Sequence, residues 1–107
     1  MILYVAEDNA ITLTGLTNRN TAAYVNDATV TYSLRTAAST SPGTGTELAS
    51  GTLAYVAASS GNYRAVLESS AATLAPGTAY YLWVAVSSST LNGTRRLRCV
   101  AQYRTEE

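Results

Sequence analysis

The stretch Thr78-Ala-Tyr-Tyr-Leu-Trp-Val-Ala-Val-Ser-Ser-Ser-Thr-Leu-Asn-Gly-Thr-Arg-Arg-Leu-Arg-Cys-Val-Ala-Gln-Tyr-Arg104 holds two alternating apolar sets on either side of an Asn-Gly pair. Tyr80, Leu82, Val84 and Val86 alternate with Tyr81, Trp83, Ala85 and Ser87. Leu97, Cys99, Ala101 and Tyr103 alternate with Arg96, Arg98, Val100 and Gln102. A period of two is that of an extended strand with one face buried. Asn92-Gly93 is a strong hairpin signal, because both central residues of a type I′ turn need positive φ. A tight turn there sets Leu82 opposite Tyr103, Val84 opposite Ala101 and Val86 opposite Cys99. The two apolar sets then share a face, and a slip of one residue would turn every one of them outward. The other face carries Tyr81 and Trp83 beside Arg104 and Gln102, with Arg96 and Arg98 nearer the turn. Aromatic residues and Arg are the types most enriched where proteins bind one another.

Outward from this hairpin, the same period predicts five more strands. All seven fall near residues 2–5, 10–16, 28–36, 50–57, 62–68, 78–87 and 94–104. Asn26-Asp27 leads into the third, Ser60-Gly61-Asn62 joins the fourth to the fifth, and Pro76-Gly77 precedes the sixth, all in turn-forming residue types. Residues 37–49 form one long loop rich in Ser, Thr and Gly. The expectation is a single β-sandwich domain over residues 1–107, with residues 1–9 as an extended N-terminal arm.

Composition agrees with strands and narrows the chemistry. Charged residues are 13% of the 107, against about a quarter in an ordinary soluble domain. Sixteen Thr and eleven Ser stand in their place, with eight Tyr, residue types that favour pleated strands and polar turns. The chain has no His, and its seven basic residues are all Arg. Ser-His-Asp catalysis, Schiff-base chemistry and His-ligated metals therefore lack their side chains. Zero formal net charge argues against general nucleic-acid binding, which draws its affinity from cations on phosphate. The longest apolar run, Tyr80–Val86, is far short of the roughly 20 residues of a membrane-spanning helix. The start has no basic region before its short apolar run, so no signal peptide is expected. Cys99, the single cysteine, cannot form an intrachain disulfide and suits a reducing compartment.

Leu74, Pro76, Thr78 and Tyr80 match the Leu-x-Pro-x-Thr-x-Tyr pattern that leads into the sixth strand of fibronectin type III domains, and the segment resembles them there. The resemblance implies a tyrosine corner, in which a buried Tyr returns its hydroxyl to the backbone of the preceding crossover. The fold it implies is all-β, a seven-stranded antiparallel immunoglobulin-like (fibronectin type III-like) sandwich. No Trp stands in the second or third strand, where those domains carry one in the core; Tyr32 is the substitute. A second likeness covers more of the chain. Ala10–Thr17, Ala23–Val30, Ser60–Leu67 and Leu91–Arg96 resemble small structural proteins of tailed bacteriophages. That resemblance implies a virion component made in the bacterial host cytoplasm, present as a homo-oligomer or in many copies. Its partners would be major capsid, head–tail or tail subunits, with no cofactor, nucleic acid or membrane.

Other constellations carry little chemistry. Asn92-Gly93-Thr94 fits a glycosylation acceptor but reads as a plain turn. The pairs Glu7-Asp8 and Glu106-Glu107 lie near the termini, not in a cleft at the separation that two catalytic carboxylates require. Glu7, Asp8 and Asp27 lack the Asp-x-Asp-x-Asp spacing of a calcium loop. Cys99 falls on the inward face as a small core residue. Of Arg95, Arg96 and Arg98, a strand points only Arg96 and Arg98 the same way, toward carboxylates of a neighbouring subunit or of the chain's own acidic tail. The chain is thus expected to be no enzyme but an assembly protein of a phage particle, bound as capsid decoration or at the head–tail joint. Its expected interface comprises Ile2, Leu3, Tyr4 and Val5, which add as a strand to a neighbour's sheet, with Tyr81, Trp83, Arg96, Arg98, Arg104 and loop 37–49. A carbohydrate-binding or adhesion module, stacking Trp83 and Tyr81 on sugar rings, is the alternative. A domain cut from a larger surface protein is a third, disfavoured by the Met1 start.

Overall fold

Wherever β-branched and aromatic residues alternate with small polar ones, the chain is extended. The computed structural model describes residues 1–18, 20–36, 46–89 and 91–104, and its described residues contain no helix. The strands are β1 (Ile2–Tyr4), β2 (Asn9–Leu13), β3 (Thr29–Arg35), β4 (Glu47–Tyr55), β5 (Tyr63–Leu67), β6 (Ala79–Ser87) and β7 (Asn92–Gln102). Each lies within a few residues of its expected position. Most of the expected loop, residues 37–45, lies outside the described residues, as do Glu106 and Glu107.

The strands form one sheet in the order β1-β7-β6-β3-β4-β5-β2. All pairs are antiparallel except β1 with β7, so the sheet is mixed, not wholly antiparallel. β4 carries the sheet round on itself: Glu47 to Leu53 pair with β3, and Ala54 and Tyr55 pair with β5. The result is nearly barrel-shaped.

Burial follows the two-residue period. Val30, Tyr32 and Leu34 of β3 and Leu82, Val84 and Val86 of β6 point inward, where Leu3, Ile11, Leu13, Leu53, Tyr63, Leu67, Cys99 and Ala101 meet them. Each fully buried Leu, Val or Ile contributes about 1.5–3 kcal/mol relative to exposure. Tyr32 packs against the backbone of its β4 partner Gly51, where an added Cβ would lie 2.8 Å from the ring.

The β6–β7 register differs from the expected one. Leu82 faces Leu97, not Tyr103; Val84 faces Arg95, not Ala101; Val86 faces Gly93, not Cys99. The reversal is closed by Ser88, whose amide donates to the Leu91 carbonyl at 2.8 Å and whose hydroxyl accepts the Leu91 amide at 2.9 Å. Asn92 and Gly93 belong to β7, opposite Ser87 and Val86. An even shift keeps every side chain on its face, so alternation cannot tell the two registers apart. The shift sets Cys99 beside Tyr80 and Val100 beside Ala79, while the opposite edge of Val100–Gln102 pairs with β1.

The N-terminal segment is docked on its own domain. Ile2, Leu3 and Tyr4 run beside Val100, Ala101 and Gln102, and Leu3 is fully buried. Asn9 holds this strand: its Oδ1 accepts the Tyr4 amide at 2.9 Å and its Nδ2 donates to the Tyr4 carbonyl at 3.1 Å. At the other crossover, the Tyr80 hydroxyl accepts the Ala75 amide at 2.8 Å.

Candidate functional site

Because β6 presents Tyr81 and Trp83 away from the core, its outer face meets the outer faces of β3 and β7. Trp83 sits between Ser33 and Arg96, and Tyr81 between Arg35 and Arg98. The Arg96 guanidinium carbon stands 5.3 Å from the centre of the Tyr81 ring and 5.8 Å from that of Trp83. These distances are within the range of cation–π attraction, about 0.5–1 kcal/mol where exposed. Trp83 is only 9% exposed although it is not part of the core cluster. Its indole Nε1 is buried and makes no hydrogen bond among the described residues.

Beside the indole lies a depression of about 440 Å³, bordered by Thr31, Ser33, Arg35, Glu47 and Thr52. Its polar wall is internally ordered. Arg35 Nε donates to Ser33 Oγ at 2.9 Å, and that hydroxyl donates to Glu47 Oε1 at 2.9 Å. Arg35 and Glu47 stand 4.0 Å apart as an ion pair. Sequence reading did not place Arg35 and Glu47 at the site. The signal was present in the alternation of Thr31, Ser33 and Arg35 with the buried residues of β3, but only the β3–β6 pairing aligns it with Trp83.

The expected interface residues divide. Tyr81, Trp83, Arg96 and Arg98 share one face. Arg104, expected opposite Tyr81, lies elsewhere: its Nε donates to both Glu7 carboxylate oxygens, at 3.1 and 3.0 Å, and its guanidinium stands 4.1 Å from the Tyr4 ring centre. The register difference removes it, for Arg98 takes its place beside Tyr81. Leu3 and Val5 are buried in the core, so a folded monomer cannot offer them to a neighbour; Ile2 remains 46% exposed at the sheet edge.

No family model, curated protein or solved structure matches the chain.

From Asn92 to Arg98 every residue of β7 is exposed, on both faces of the strand. Of the carboxylates weighed as a calcium site, Glu7 pairs with Arg104 and Asp8 accepts the Ser69 amide at 2.8 Å. Among the described residues no three His, Cys, Asp or Glu side chains gather as a metal site. Cys99 is buried, and its burial pushes the thiol above its ordinary pKa, the neutral inert form.

Proposed function

We propose that this chain is a non-enzymatic structural protein of a tailed-phage particle, built as an immunoglobulin-like sandwich and bound to neighbouring subunits as capsid decoration or at the head–tail joint. The carrying observation is the cluster Tyr81, Trp83, Arg96 and Arg98 on the outward face of the β6–β7 hairpin. The contact surface there is offered by exposed Arg96 and Arg98 with half-buried Tyr81, over a Trp83 that is itself largely covered, and Arg and Tyr are among the residues from which interfaces draw most of their energy. The phage setting is supported by the resemblance of Ala10–Thr17, Ala23–Val30, Ser60–Leu67 and Leu91–Arg96 to phage structural proteins. The sandwich reading is supported by connectivity. The adjacency β3-β6-β7 corresponds to the C, F and G strands of such folds, and the β2–β5 pair to B and E.

Sugar stacking is less well supported, since a ring as covered as Trp83 offers a sugar little surface. The test is mass spectrometry of separated heads and tails from purified particles of the phage encoding the chain. The chain is expected in one fraction at fixed stoichiometry, and Arg96→Glu with Arg98→Glu is expected to deplete it there without unfolding it. Absence from both fractions, or specific glycan binding that Trp83→Ala abolishes, overturns the proposal.

A further inference from the structure

The sheet stops short of closing, and the place where it stops has a definite chemistry. β1 pairs with β7 only over Val100 to Gln102, and no strand among the described residues pairs that side of β7 from Asn92 to Leu97. β2, the other end of the sheet, pairs only with β5. Between them runs a groove of about 360 Å³, with Leu82 and Val84 from β6, Ile11 and Leu13 from β2, and Leu97 and Met1 along it. Leu97 is 43% exposed and Met1 48%, so apolar surface stands open to solvent.

The backbone polarity of this edge follows from hydrogen bonds further along β7. The Val100 amide donates to the Met1 carbonyl and the Gln102 carbonyl accepts from the Val5 amide, whereas the Ala101 amide and carbonyl both bond toward β6. By alternation, the Thr94 amide points away from β6, along the open side. Arg95 and Leu97 point toward the groove, while Arg96 and Arg98 point outward beside Trp83 and Tyr81. Neither Arg95 nor Arg98 meets a carboxylate among the described residues.

We infer that this edge accepts an extended peptide strand from a different chain, in line with β1, with apolar residues at alternate positions and Asp or Glu at the others. Main-chain hydrogen bonds to β7 supply affinity and the groove selects the alternate side chains, as in other strand-addition complexes. The apolar side chains enter the groove between Leu13, Leu82 and Leu97. The carboxylates on the outer face meet Arg98. A second copy pairing through the same edge would set arginines against arginines, and directly opposed like charges destabilise a strand pair. Charge therefore selects an acidic partner over a self-pair. The inference deepens the assembly proposal, on which it rests for the existence of a neighbouring strand.

The test uses the whole chain and a fluorescent synthetic peptide of alternating Glu and Val, with a Lys-and-Val counterpart as control. The Glu peptide is expected to bind with an affinity that falls with added salt, and the Lys peptide at least tenfold more weakly. In amide exchange spectra, bound Glu peptide is expected to protect Thr94. Thr94→Pro, which removes that amide while leaving the β6 ladder intact, is expected to weaken binding at least tenfold; Thr94→Ala, which keeps it, is expected to bind normally. Equal binding of the two peptides, no binding of the Glu peptide, or binding without protection at Thr94 in the wild-type chain overturns the inference. The last readout decides even if Thr94→Pro does not fold. Absence from particles combined with tight, edge-specific peptide binding would sink the virion setting alone.

Discussion

Arg96 lies over Trp83, its guanidinium carbon 5.8 Å from the indole centre, and the indole lies on the outer face of the sheet, outside the core cluster. Its burial therefore comes from outer-face neighbours, not from the packed interior. Deleting a large aromatic from a core costs about 3–5 kcal/mol. Trp83→Ala is expected to cost less, about 1–3 kcal/mol, and to leave the domain folded in urea titrations. Trp83→Phe is expected to cost less again, because the indole N–H makes no hydrogen bond among the described residues that would be lost. Unfolding of the isolated domain by Trp83→Ala would make the ring a core residue and reverse the face assignment.

Two tyrosine hydroxyls tie strands to crossovers, and they differ in what they hold. Tyr80 accepts one amide, that of Ala75. Tyr63, buried at 1% exposure, donates to the Val25 carbonyl at 2.7 Å and accepts the Ala28 amide at 3.1 Å. Leaving a buried polar group unpaired costs about 1–3 kcal/mol. Tyr80→Phe is expected near the lower end of that range and Tyr63→Phe near or above the upper. Denaturation midpoints check both, and an unchanged midpoint for Tyr80→Phe would mean that its hydroxyl holds nothing.

Glycine substitutions separate the two possible hairpins. Gly93 has an ordinary strand conformation with nothing within 4 Å of an added Cβ. Gly93→Val is expected to be neutral or mildly stabilising, since a β-branched residue suits a strand. In a type I′ turn the same change would be clearly destabilising. Gly61 is the contrast: φ is +69° and an added Cβ would stand 2.5 Å from the Leu16 carbonyl oxygen. Gly61→Ala is expected to cost more than about 2 kcal/mol, because strain at positive φ adds to a backbone clash. The thermal melt of Gly93→Val decides the register, and that of Gly61→Ala checks the strain at Gly61.

Burial raises the Cys99 pKa, with the Met1 ammonium and a backbone hydrogen bond opposing it. The folded state therefore keeps a proton that the unfolded state releases first. The associated stability is fully present below the unfolded thiol's pKa, about 8.5, and is lost as pH rises from there through the folded value. Urea midpoints of the wild type are expected to fall more steeply above that pH than those of Cys99→Ala. At neutral pH the thiol is expected to resist a disulfide reagent until the chain unfolds. Fast labelling of the native protein would contradict the burial.

Strand positions were legible because Val30, Tyr32 and Leu34, or Leu82, Val84 and Val86, announce their inward side within a few residues. The hairpin turn was not, because Asn92-Gly93 favours a tight reversal locally while Ser88 and Leu91 close it in the fold. The interface residues were legible by face but not by partner. Arg104 was misplaced by the same displacement that brought Arg98 beside Tyr81. The N-terminal segment reads as an arm because it is short and apolar, and that same character lets Leu3 pack fully into the domain's own core.

Alternation alone determined that the chain is all-β, where its strands run and which side of each turns inward, since these depend only on the two-residue repeat of extended backbone. Tertiary structure decided the β6–β7 register, the parallel docking of β1, the covering of Trp83 and the open edge of β7. A displacement by an even number of residues changes no face. Only the fit of Leu3, Cys99 and Ala101 into one interior, with Asn9 clasping Tyr4, distinguishes one such arrangement from another.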